Sequence, residues 1–202
     1  MDDAMRSAMQ QVGLERAHMV AVRTALGAAL KSEKRPPTFG DFYGACVDYL
    51  DFIMERFREQ DQASVDLLRP RVPKERIDAH RLIDETEAGL NSSQREIKKL
   101  VGALKRFKAE GASGQKAFES AGLAFADYFA TQLSKIKHAI RPLSEEYIRP
   151  GEFNRNSFIT PQSIAKEKEL FSKVEKTVPK GVPFEVKIEE QQWRSERLKV
   201  AP

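Results

Sequence analysis

With 202 residues, 41% of them hydrophobic, the chain is long enough for one core and an extension. A charged fraction of 32% and a net charge of +4, spread over many segments, argue against a dedicated nucleic-acid surface. No run approaches the roughly 18 apolar residues of a membrane span, and the opening MDDAMRSAMQQ is acidic and polar where a secretory signal is basic and then apolar, so a cytoplasmic protein is expected.

The first predicted helix runs from Met1 to about Ser32, with Leu14, His18, Ala21, Val22 and Ala25 on one face and Glu15, Arg16 and Arg23 on the other. Pro36 and Pro37 stop it. Thr38 suits an N-cap for a second helix reaching about Leu68, whose stripe is Phe39, Phe42, Tyr43, Cys46, Leu50, Ile53 and Phe57. Cys46, the sole cysteine, falls in step with that stripe and is expected as a small buried core residue. Past the turn at Pro70 and Pro73, a third helix carries Ile77, Ile83, Leu90, Ile97, Leu100, Leu104 and Phe107 at helical spacing. A bend is expected at Asn91, Ser92 and Ser93, which compete for backbone hydrogen bonds.

EGASG, residues 110–114, reads as a loop, and the fourth helix follows from about Gln115 to Tyr147. Its stripe is Phe125, Phe129, Gln132, Ile136, Ile140 and Leu143, with Gln132 the single polar break. Four long amphipathic segments joined by short turns predict an all-α, antiparallel up-down four-helix bundle over residues 1–148. Residues 149–202 form an extended tail with a short helix from Pro161 to Lys176 and an alternating, strand-like PFEVKIE run. The tail alone buries too little apolar surface to fold, so it packs on the bundle, binds a partner or stays mobile.

The sequence FADYFATQLSKIKHAIRPLSEEYI, residues 125–148, resembles the last helix of the hemerythrin-like bundles, in which a His-x-x-x-Glu pair precedes a Leu-Phe-Pro turn. Ile140, Arg141, Pro142 and Leu143 match the closing part. Counted back from Pro142, Gln132 occupies the place of a ligating histidine and Ile136 that of a bridging carboxylate. On the second helix, counting back from Pro70 puts Asp61 and Val65 in the corresponding places. His18, in LERAHMVAV, and His80, in ERIDAHRLIDE, resemble the ligands of the first and third helices. The resemblance implies a degenerate member of the family, because Val65 and Ile136 coordinate nothing.

A di-iron pair requires about five to seven N and O ligands, more than remain here. The expected outcome is a chain without a cofactor, in which the polar residues satisfy one another and Gln132 is a polar remnant in the core. The alternative is a reduced site for a single iron, manganese or zinc ion held by His18, Asp61, His80 and Asp84. No Gly-rich phosphate loop, nucleophile elbow, Cys-x-x-Cys pair or HExxH is present. Glu87 is expected as a solvated or interface glutamate, and Lys98, Lys99, Lys105, Arg106 and Lys108 as a basic helix end.

Aromatic residues spaced along the tail, Phe153, Phe158, Phe171, Phe184 and the sole tryptophan Trp193, suit a strap that drops single side chains into pockets. These features favour a non-catalytic accessory or scaffold subunit that docks into a larger protein assembly through its tail and bundle surface. A metal-binding role in oxygen, redox or metal handling is the alternative.

Overall fold

The computed structural model describes residues 3–32, 39–149, 151–152 and 158–188, without the side chains of 3–6, 132–134 and 136–138. Among these residues the protein is all-helical and contains no strand. In chain order the elements are α1 (Asp3–Lys31), α2 (Phe39–Arg71), α3 (Ile77–Glu110), α4 (Ala112–Tyr128), a π-helical turn (Phe129–Leu133), α5 (Ser134–Tyr147) and α6 (Pro161–Thr177).

The stripe of α2 forms the centre of the molecule. Phe42, Cys46, Leu50, Ile53 and Phe57 are all buried against α1, α3 and α4, so the cysteine takes its expected core place. Tyr43, Phe107 and Phe118 pack ring on ring where α2, α3 and α4 meet. A smaller cluster of Val65, Leu68, Val72, Ile83, Leu90 and Leu143 holds the far end of α2 to α3 and α5. α2 passes through Pro70 to Arg71, three residues beyond the expected stop.

Several local expectations need correction. Residues 110–114 are not a loop: Gly111 alone separates α3 from α4, at φ 62, a left-handed conformation that favours glycine. Gly114 then lets the first turn of α4 press onto α3, since a Cβ there would lie 2.9 Å from the Phe107 Cα. α3 runs unbroken through Asn91–Ser93, where the buried Ser93 hydroxyl donates to the Leu90 carbonyl at 2.7 Å without interrupting the helix. Over its described residues, 183–188, the PFEVKIE run forms no strand; Phe184 and Val186 pack instead against the main core. The fourth predicted helix is split by the π turn at 129–133, whose wider winding takes up an extra residue, while Ile140 and Leu143 of the predicted stripe still face the smaller cluster.

The tail helix α6 lies on α1 and α2, burying Leu170, Phe171 and Val174 in the main core. Its start is sharply set. Thr160 caps it by accepting from the Ser163 N–H, while the Ser163 hydroxyl accepts from the Thr160 N–H, and Pro161 occupies the first turn. Farther back, Arg71 clamps Glu152 through two contacts of 2.7 Å, which hold the Glu152 carboxyl down at about 2. The described part of the tail is therefore folded onto the helices that precede it.

Candidate functional site

The chemistry of the molecule concentrates where α1, α2 and α6 meet. Glu15, predicted off the apolar face of α1, is completely buried. It lies one turn before His18 and faces α2, where Arg56 and Gln60 share the stripe of Ile53 and Phe57 and are also buried. Arg56 Nη2 donates to Glu15 Oε2, Arg56 Nη1 reaches Gln60 Oε1 at 3.5 Å, and Gln11 Nε2 donates to Glu15 Oε1 at 3.0 Å. The Arg56 guanidinium also covers the Phe57 ring at 4.4 Å.

A second carboxylate enters from the tail. Glu167 lies on the same face of α6 as Leu170, Phe171 and Val174 and is completely buried. Its Oε1 accepts from the Tyr49 hydroxyl at 3.0 Å and contacts His18 Nδ1 at 2.8 Å. Oε2 is buried without a hydrogen-bond partner. The His18 ring stacks on Phe171 with centroids 3.7 Å apart and planes 7° from parallel, so one turn of α6 supplies both the carboxylate and the ring that fix this imidazole.

Burial dominates the electrostatics of this cluster. It pushes the Glu15 carboxyl above its ordinary range, with the nearby Glu167 charge acting in the same direction while Arg56 and Gln11 oppose. Burial and then the Glu167 carboxylate push the Tyr49 phenol far up, making it a hydrogen-bond donor and not an ionising group. The Arg56 guanidinium is lowered by burial and held charged chiefly by Glu15, with a further contribution from Asp61. Donors and acceptors bind one another across three helices, with Glu167 Oε2 left over.

The residues singled out from the sequence divide accordingly. His18 and Asp61 belong to or border this network. Asp84 does not: it is 65% exposed and pairs with Arg69 at 2.7 Å. Arg69 also binds Glu87 at 2.8 Å, which puts Glu87 in a surface ion pair as expected. His80 is half-buried near the start of α3, its Nε2 enclosed without a hydrogen-bond partner. Among the described residues, no three His, Cys, Asp or Glu side chains gather closely enough to hold a metal ion together.

Val65 is buried in the smaller apolar cluster. Gln132 lies in the π turn and Ile136 in α5, with side chains outside the described set. Of the tail aromatics, Phe171 is buried in the chain's own core, Phe184 packs on it with centroids 5.8 Å apart, and Phe158 is 42% exposed. Phe153 and Trp193 fall outside the described residues.

Comparison with protein-family models, curated proteins and solved structures gave no significant match. The reading of the site therefore rests on its own geometry. Among the described residues, no helix is long and apolar enough to cross a membrane.

Five participants were not singled out from the sequence: Gln11, Tyr49, Arg56, Gln60 and Glu167. A signal existed for two of them. Arg56 sits three residues after Ile53, and Glu167 three before Leu170, so each places a charge on an apolar stripe, where charge is rarely buried without a partner.

Proposed function

We propose that the chain is a non-catalytic accessory or scaffold subunit, a degenerate hemerythrin-like antiparallel four-helix bundle that docks into a larger protein assembly. The observation carrying this reading is the commitment of the inner polar groups to one another. Glu15 is neutralised by Arg56, Glu167 is bound by Tyr49 and His18, and Val65 stands in apolar packing where the family resemblance expects a carboxylate. A bundle organised in this way uses its interior for stability and specificity, leaving surfaces for function.

Affinity purification of the tagged protein from its native source, followed by size analysis, tests this reading. Stoichiometric co-purification of another polypeptide supports it, and a lone chain argues against it.

One observation favours a second reading, in which a single iron, manganese or zinc ion is held with His80 as a ligand: its enclosed, unpartnered Nε2. Metal analysis of the purified protein separates the two. The second reading requires stoichiometric metal that disappears in the His18→Ala, His80→Ala double variant.

A further inference from the structure

α3 and α4 leave an open groove of about 950 Å³ between them. Among the described residues these two helices alone line it, whereas α6 covers α1 and α2. Gly102, Ala117, Ser120, Ala121 and Ala124 make its floor, and a Cβ added at Gly102 would meet nothing within 4 Å, so the floor is shallow and accessible.

The rim is cationic, with Arg95, Lys98, Lys99 and Arg106. A helix dipole favours cations only within its last turn, and α3 runs on to Glu110, so the dipole does not account for Arg95, Lys98 or Lys99. Two of the four cations are already neutralised, Lys98 by Asp51 at 3.5 Å and Lys99 by Glu96 at 2.7 Å. The two arginines are not. Arg95 donates to the uncharged Ser92 hydroxyl at 2.7 Å, and among the described residues neither Arg95 nor Arg106 pairs with a carboxylate. They stand eleven residues apart on one helix. That is three turns, about 16 Å, so the two guanidinium groups mark the ends of one line along the groove.

We propose that this groove receives an acidic amphipathic helix of a partner polypeptide, which sets a carboxylate on each arginine and small or apolar side chains on the floor. The partner is the one required by the accessory-subunit reading, on which this inference rests. Charge selects an acidic occupant, because two open cations flank two that are already paired. A helix whose carboxylates are also eleven residues apart carries them on one face and matches both. Shape selects a helix. Small side chains on the floor let a second helix approach toward the short end of the usual 8–10 Å interaxial range, and they offer no aromatic ring on which a nucleic-acid base stacks. A second copy of this chain, with its net charge of +4, is the poorer match.

The test uses the full-length tagged protein in its native source, with Ala124, an exposed residue of the groove floor, replaced by photoreactive benzoylphenylalanine. The expected result on irradiation is an adduct with one segment of a different polypeptide, a segment that carries Asp or Glu at the same eleven-residue separation as the two arginines. Arg95→Glu combined with Arg106→Glu should lower the adduct yield about tenfold, because two rim ion pairs become repulsive, with the far-ultraviolet circular dichroism retained. Arg81→Glu combined with Lys187→Glu makes the same change of charge at side chains 76% exposed and outside the groove lining, and should leave the yield as it is. The proposal is overturned by the absence of an adduct, by a yield that the groove variants do not lower, or by an adduct with nucleic acid or with a second copy of the chain. A polypeptide that co-purifies in fixed ratio while position 124 forms no adduct sinks this inference and leaves the accessory-subunit reading standing. A lone chain sinks both.

Discussion

Replacing Arg56 by Met probes the buried network at its most loaded point. Glu15 is completely buried and its cation is Arg56, so the substitution leaves a carboxylate enclosed among apolar side chains with a second carboxylate, Glu167, nearby. Breaking one partner out of a buried pair costs about 3–5 kcal/mol. For a chain of this size that lowers Tm by roughly 6–20 °C, at about 2–4 °C per kcal/mol.

The loss carries a pH signature with a definite sign. Burial already raises the Glu15 carboxyl, and Arg56 is the largest influence opposing it. Without Arg56 the folded-state pKa rises further above the unfolded value. A raised carboxyl favours the folded state below its unfolded pKa, and this contribution disappears as pH climbs through the folded pKa. The Arg56→Met penalty is therefore greatest near neutrality and shrinks toward acid pH.

Urea unfolding followed by circular dichroism at neutral and mildly acidic pH measures both effects, and the Glu15→Met, Arg56→Met double variant completes the cycle by recovering most of the loss. A single-variant penalty below about 1 kcal/mol, the range of exposed ion pairs, would refute the reasoning. So would a penalty independent of pH or a double variant less stable than the single.

Other changes follow from the packing. Phe171→Ala removes a ring that stacks on His18 and lies in the main core, and should cost about 3–5 kcal/mol in thermal or denaturant unfolding. Glu167→Ala leaves the Tyr49 hydroxyl without its acceptor carboxylate and should cost about 1–3 kcal/mol, with hydrogen exchange accelerated first in α6. Gly102→Ala should stabilise α3 by about 0.5–1 kcal/mol, since a Cβ there meets nothing within 4 Å. Gly114→Ala should destabilise, because its Cβ would press on the α3 backbone at 2.9 Å. Equal effects of the two alanines in thermal unfolding would contradict that contrast.

The helices were legible because each long segment keeps an apolar period of its own. The α2 stripe from Phe39 to Phe57 and the α3 stripe from Ile83 to Leu104 follow from spacing alone, as does the burial of Cys46. Glu15 was misplaced for a specific reason. Its partner Arg56 lies on α2, 41 residues farther along, and one helix's periodicity does not reveal a buried cation on another. The one-residue turn at Gly111 escaped composition because EGASG has the residue types of a loop, while Gly111 alone supplies the conformation a tight turn requires. The π turn at 129–133 is not legible either, since the apolar spacing keeps a steady α period through it. In the candidate site, the inward place of His18 follows from the spacing of α1. Its partners do not, because Glu167, Tyr49 and His18 are joined only by the docking of α6.

Native mass spectrometry of the tagged protein isolated from its source at neutral pH tests the central claim most directly, because it reads partner stoichiometry and bound metal together. The account predicts this chain in fixed ratio with a different polypeptide and no mass increment for a metal ion. A lone chain carrying one iron, manganese or zinc would contradict it.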